Sequence, residues 1–237
     1  MIPQEIPIIG CEKCDGYGNI VTLTGVTDCE CKLRAQTAMN LVAARIPPMY
    51  APKNLATFKP SSKHRKEVLE IAKKYIAEYK LDGKGLFLWG PCGTGKTHLA
   101  VAILKELILA GHMGLFYNII SLLDDMRASY NSNDESEQWE LIDRVRDTRI
   151  LILDDLGAEK TSGWVSDRLY AIINYRYENN NTTIVTSNKS ESELKEQVGI
   201  RIYSRLVEMC RVIPFAGKDY RIEMMKSGEN LPLLEEE

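Results

Sequence analysis

The chain of 237 residues has no apolar run approaching the ~18–20 residues that cross a bilayer. Its first residues, Met1-Ile2-Pro3-Gln4-Glu5, carry neither the basic start nor the apolar stretch of a secretion signal. Both absences give the expectation of a cytoplasmic protein with no membrane partner. An excess of positive charge is lacking too: 30 Lys and Arg against 33 Asp and Glu leave a net charge of −3. No global field draws nucleic acid, so any such contact is a local patch. Histidine is scarce, and nothing marks His64, His98 or His112 as a ligand. Internal repeats and low-complexity tracts are missing apart from the tail Glu235–Glu237.

What is present begins with a balance of 44% hydrophobic and 27% charged residues, enough for one α/β domain with a core and a small appendage. Three blocks are expected: residues 1–35, a cysteine-bearing knuckle; 36–84, a linker with a helix; and 85–237, the main domain. Between Cys31 and Lys66 there is no Asp or Glu, while Lys32, Arg34, Arg45, Lys53, Lys59, Lys63, Arg65 and Lys66 are cationic. This stretch reads either as a solvated linker or as a patch facing a partner. Apolar spacing over Lys63–Lys80 predicts a helix.

From Gly85 on, short apolar strands alternate with amphipathic helices. Strands are expected at Gly85–Trp89, Gly114–Tyr117, Arg149–Leu153, Thr182–Thr186 and Arg211–Ile213. Helices are expected at Thr97–Ala110, Ile119–Ser129, Glu137–Arg146 and Val165–Tyr177, with a polar loop at Asn131–Ser136. Continuous apolar strands separated by helices imply a parallel sheet covered on both faces.

Gly90-Pro91-Cys92-Gly93-Thr94-Gly95-Lys96-Thr97 fits G-x-x-x-x-G-K-[ST] in full, with an apolar strand before it and a helix after. Glycines let the backbone wrap an anion, and the positive helix end faces its phosphates. Lys96 then neutralises the β- and γ-phosphates, and Thr97 offers its hydroxyl to Mg²⁺. The run Ile150-Leu151-Ile152-Leu153-Asp154-Asp155 ends a strand in two acids. This places carboxylates at the edge of the sheet where ligands of parallel α/β proteins bind. Asp154 is expected to hold Mg²⁺ through water, and Asp155 to orient or deprotonate the attacking water. Asn188, after the fourth strand, either meets the γ-phosphate or caps the helix at Ser190–Gln197. Arg201 and Arg205 stand four residues apart on one helical face.

Cys11-x-x-Cys14 and Cys29-x-Cys31 supply two close pairs of thiolates. Two such pairs can surround Zn²⁺ tetrahedrally, and closed four-thiolate sites fold small modules. Structural zinc is the favoured reading, with an iron–sulfur cluster, which also takes four cysteines, as the alternative. Cys92 and Cys210 read as small hydrophobes.

These motifs, with Asp154-Asp155-Leu156-Gly157, Thr186-Ser187-Asn188, Ser204-Arg205-Leu206 and Gly217-Lys218-Asp219-Tyr220-Arg221, occur in an order that resembles DnaC/DnaI-type helicase loaders. The likeness covers about residues 85–226, and related IstB-type transposition ATPases share the order. It implies an AAA+ P-loop core with a five-stranded parallel sheet, a zinc module before it, and a lid that is reduced or absent. Many AAA+ ATPases carry Glu where this chain has the shorter Asp155.

By resemblance, Asn188 matches the sensor-1 position. Arg205 matches the arginine finger that reaches a neighbouring subunit's ATP, with Arg201 beside it, and Arg221 matches the sensor-2 arginine. The resemblance also implies that residues 1 to about 80 bind a partner, a replicative hexameric helicase, and that a homo-oligomer of the ATPase holds single-stranded DNA. Residues Ile119–Arg146 match the DNA-contacting insertion, with Arg127 and Tyr130 as candidate contacts; equally, they read as a helix pair that covers the sheet. The implied function is ATP-dependent loading of the helicase, with hydrolysis as the switch. The alternative is an IstB-like regulator of transposition. A small-molecule kinase lacks a recognisable acceptor site here.

Overall fold

A computed structural model describes residues 11–23, 25–131 and 135–226, without the side chains of residues 130–139. The Met1–Glu5 start and the Glu235–Glu237 tail lie outside the described residues, as does most of the expected polar loop (132–134) and the side chain of Tyr130. Asn131 and Glu135 already belong to the helices on either side.

The cysteine region folds as a hairpin, β1 (Asn19–Thr22) and β2 (Gly25–Asp28), antiparallel with Val21 opposite Val26. Its strands are almost wholly exposed, so the pair has no apolar core of its own, and two strands alone are marginal in water. Helix α1 (Glu30–Ala43) begins at Cys29 and runs without a break across the expected boundary at residue 35. A short 3-10 turn, Pro48–Tyr50, follows. Helix α2 (Lys63–Ala77) is capped by Ser62, whose hydroxyl accepts from the Arg65 amide. It stops short of the predicted Lys80. The chain is turned toward the sheet there by Tyr75, which donates to the Lys84 carbonyl at 2.7 Å, and by Tyr79, whose hydroxyl meets that of Thr182 at 3.0 Å.

The main sheet holds β3 (Gly85–Trp89), β4 (Gly114–Asn118), β5 (Ile150–Asp154), β6 (Thr182–Ser187) and β7 (Cys210–Pro214). All neighbours are parallel, in the order β4-β5-β6-β3-β7. The first strand of the domain is therefore inserted between the fourth and the fifth. Helices α3 (Lys96–Leu109), α4 (Ile119–Asn131), α5 (Glu135–Asp147), α6 (Gly163–Glu178), α7 (Glu191–Val198) and α8 (Ile200–Met209) join the strands, and α9 (Tyr220–Lys226) follows β7. No larger lid follows β7 among the described residues.

The strands read as unbroken apolar runs because both faces are covered. Ile150 and Ile152 join α3 residues Leu99, Ile103 and Leu107 in one core, together with Phe58, Val68 and Ala72 from the linker and α2. Leu151 and Leu153 join Leu122, Leu169, Ile173, Ile202 and Leu206 in the other. Each such side chain contributes roughly 1.5–3 kcal/mol by leaving water.

A fully buried arginine closes the far edge of the sheet. Arg176 donates to the carbonyls of Val145, Arg146, Thr148 and Thr182 and to the Thr183 hydroxyl, at 2.5–3.0 Å. Three of those carbonyls lie at the end of α5, where backbone acceptors lack helical partners. Among the described residues no helix is long and apolar enough to cross a membrane.

Candidate nucleotide site and metal centre

The loop between β3 and α3 is shaped by glycines. Gly90 has φ 141°, and a Cβ there would stand 2.1 Å from the Phe215 carbonyl oxygen. Gly93 has φ 70° and lies flat against the Asp219 carboxylate. Neither position accepts a side chain. Gly95 is the N-cap of α3 and gives its first amides no side-chain acceptor, so the positive end of the helix stays open to an anion. Lys96 is buried and donates to the carbonyls of Gly90 and Pro91, each at 2.7 Å. Burial pushes its pKa below the ordinary lysine value. Thr94 is buried and donates to Pro91, whereas Pro91 and Cys92 themselves are exposed at the loop tip. Cys92 is thus not the small core hydrophobe expected, while Cys210 is buried as expected.

β5 delivers two carboxylates to the same edge. Asp154 is buried and accepts from the Thr97 and Thr186 hydroxyls, both at 2.7 Å. Burial pushes its pKa up, and the two hydroxyl bonds oppose that rise. The next residue turns into the left-handed region: Asp155 has φ 62°, and its amide donates to Thr186 Oγ1 at 2.9 Å. Asn188 donates from Nδ2 to Asp155 Oδ1. It does not cap the following helix; Ser190 does, in a capping box with Glu193. Glu159, also buried, accepts from the Gly157 amide at 2.9 Å and so ties the turn after the two acids.

A second layer comes from the linker. Arg65 donates to the Thr94 carbonyl at 3.1 Å and lies over the rings of Phe58, at 4.7 Å, and Tyr220, at 5.5 Å. Tyr50 packs its ring 5.9 Å from that of Phe116. The ring nitrogen Nε2 of His98 lies 2.9 Å from the Asn54 carbonyl, with Phe58 edge-on. From the C-terminal side, the Tyr220 amide donates to the Gly93 carbonyl at 3.0 Å. Arg221 is exposed and pairs with Asp219 at 3.1 Å, a bond that raises its pKa.

Arg205 makes its contacts elsewhere, with Tyr170 and Tyr177 of α6 and with Arg201 of its own helix, and none with the P-loop. Arg201 is exposed. In the α4–α5 pair, Arg127 is held by Asp124 at 3.5 Å and lies over Trp164 at 5.0 Å.

The donor sets fit the implied groups. A hydroxyl and a carboxylate meeting at 2.7 Å are hard oxygen donors of the kind Mg²⁺ takes, beside a helix end open to phosphate. The four cysteine sulfurs lie within 4.8 Å of one another, with Cys11–Cys29 at 3.8 Å and Cys14–Cys31 at 3.4 Å. A tetrahedron of Zn–S bonds of about 2.3 Å has edges of about 3.8 Å. That spacing suits one ion, whereas thiolates on separate irons of a cluster stand farther apart.

The sheet order, the glycine loop and the paired acids together define an ATP-binding protein with an AAA+ core. The profile of the family described as IstB-like ATP binding protein matches residues 21–227, and the chain belongs to that family. It is 26% identical over 219 residues to the phage-like element PBSX protein XkdC of Bacillus subtilis (strain 168), covering 84% of this chain and 79% of XkdC. It is 33% identical over 129 residues to the replicative helicase loader DnaI of the same organism, covering 54% of this chain but only 40% of DnaI. A crystal structure of the DnaC helicase loader matches with a TM-score of 0.67 at 29% identity, covering 72% of this chain and all (100%) of that one.

Proposed function

We propose that this protein is a cytoplasmic, Mg²⁺-dependent ATPase that loads a replicative hexameric helicase onto single-stranded DNA, with ATP hydrolysis as the switch. One observation carries the ATPase reading: Thr97, Asp154, Thr186, Asp155 and Asn188 form an unbroken hydrogen-bonded chain beside the open end of α3.

In the proposed reaction, the α3 amides, the glycine loop and Lys96 hold the β- and γ-phosphates of ATP. Thr97 and Asp154 would hold Mg²⁺, which when bound would supply charge neutralisation at the phosphate oxygens. Asp155, steadied by Asn188, orients a water and takes its proton. The water oxygen bonds to the γ-phosphorus as the bond to the β-phosphate oxygen breaks, leaving ADP and phosphate. Arg205 of an adjoining subunit answers the charge that builds on the transferred group, an effect of ~10³–10⁵ in rate in other NTPases. Arg221, poised beside the loop on Asp219, meets the phosphates from the C-terminal side. This division of labour requires an ATP- or partner-dependent homo-oligomer.

Asp155→Asn tests the role of the base: it is expected to keep ATP binding and lose hydrolysis, and undiminished turnover refutes it. The loader reading draws on the likeness to DnaI and DnaC and on the Cys11, Cys14, Cys29 and Cys31 module, which fits Zn²⁺ and belongs to the expected partner-binding region, residues 1 to about 80. DNA contact in the α4–α5 region is proposed to be weak and salt-sensitive, since Arg127 is already engaged by Asp124. The second reading, an IstB-like regulator of transposition, rests on the family match. A pull-down with ATP separates the two: a hexameric helicase supports the loader, and a transposase supports the alternative.

A further inference from the structure

Three arginines named above each face a carboxylate. Arg221 has Asp219 and Arg127 has Asp124; in the linker, Arg45 has Asp125. Arg205 differs. No carboxylate lies within ion-pairing distance of it among the described residues. Its guanidinium is instead held by neutral groups: Nη2 donates to the Tyr170 hydroxyl at 3.0 Å, and Nη1 donates to the Arg201 carbonyl at 3.2 Å. The ring of Tyr170 lies 4.9 Å from the guanidinium carbon and that of Tyr177 lies 5.7 Å away. Nε is buried with no acceptor at all.

Tyr170 and Tyr177 are seven residues apart on α6, so both rings stand on the one face that meets α8. The Tyr177 hydroxyl donates to Glu208 Oε1 at 2.8 Å, which fixes that ring and enriches its face in electron density. Aromatic faces and carbonyls orient a cation without cancelling its charge, whereas a carboxylate would cancel it.

We infer that Tyr170 and Tyr177 form the seat of Arg205, presenting an unneutralised guanidinium to an anion supplied by another subunit, and that Tyr170 is its principal positioning residue. The inference rests on the reading of Arg205 as a finger acting in trans and adds the device that aims it. A finger restrained by rings arrives at the phosphate already oriented, so less conformational freedom is lost at the moment of reaction.

The test separates donor from recipient. Subunits carrying Arg205→Ala keep an ATP site and lack a finger. Subunits carrying Asp155→Asn keep a finger and cannot hydrolyse. A mixture of the two hydrolyses ATP only where a finger reaches across. With parental tyrosines, the mixture recovers activity above either component alone. Adding Tyr170→Ala to the donor lowers the recovered rate by about tenfold, and Tyr170→Phe, which keeps the ring, lowers it by about threefold. Placing Tyr170→Ala in the recipient instead leaves the recovered rate unchanged, because that subunit has no finger to aim. Equal loss on both sides indicates a general packing role and overturns the seat, as does no loss on either side. If the parental mixture recovers nothing, the finger reading of Arg205 fails first and the seat falls with it.

Discussion

Thr97 and Asp154 stand 57 residues apart in the chain, yet the hydroxyl of one donates to the carboxylate of the other at 2.7 Å. That contact joins the start of the helix after the glycine loop to the end of a strand two places away in the sheet. Thr186 closes the arrangement from β6, donating to Asp154 and accepting from the Asp155 amide. One buried hydroxyl therefore holds the carboxylate of Asp154 and the backbone turn at Asp155.

Replacing Thr186 by Val tests this directly. The isosteric change removes both bonds and leaves the Asp155 amide without its acceptor, at an expected stability cost of about 1–3 kcal/mol. Turnover is expected to fall by at least about tenfold while ATP affinity changes little, since the glycine loop is untouched. Steady-state kinetics with a nucleotide-binding assay separates the two effects.

Arg65 ties the linker to the glycine loop through the Thr94 carbonyl and lies against Phe58 and Tyr220. Arg65→Ala is expected to weaken ATP binding by about tenfold through a looser loop. It is also expected to reduce the rise in Tm that saturating nucleotide produces. Melting curves with and without Mg-ATP provide the measurement.

Much of this was open to the sequence, and the boundary has physical causes. The glycine loop and Asp154 were legible because a strand buried on both faces is an unbroken apolar run, and polar residues at its end are conspicuous. The role of Thr186 was not legible, because it depends on the register that sets Leu153 beside Val185. Phe58 lay in a stretch with no apolar period, which reads as linker, and Arg65 stood on a predicted helix whose period says nothing of its reach to the Thr94 carbonyl. The hairpin β1–β2 was missed for the opposite reason: with both faces exposed, it has no alternation to detect, and the four cysteines at its base take the place of a core. The end of α2 at Ala77 followed from two tyrosine hydroxyl contacts that no helical period announces.

Metal removal should act locally. One Zn²⁺ per chain is expected by elemental analysis, and a strong chelator or Cys14→Ser should release it. Without the ion, the exposed hairpin has little to hold it, and proteolysis should reach residues 11–35 while the sheet keeps its melting transition. Loss of the whole fold on chelation would place the cysteines in the core, against their position here.

The turn after the acids gives a pH dependence. Burial pushes the Glu159 carboxyl above the ordinary glutamate range. Its ionised form is therefore disfavoured in the folded state, and the penalty is full above the folded pKa and gone below the unfolded value of about 4.3. Glu159→Gln keeps an acceptor for the Gly157 amide and removes the charge. It is expected to raise Tm at neutral pH, with the gain shrinking as pH falls through the folded pKa toward the unfolded one. Thermal melts at stepped pH check the sign.

Everything rests on a triphosphate lying against the α3 amides and Lys96, and calorimetric titration of Mg-ATP tests that most directly. The parental chain should show one saturable binding event, and Lys96→Ala should show none at the same concentrations. Equal heats and equal affinities from the two proteins would contradict the account.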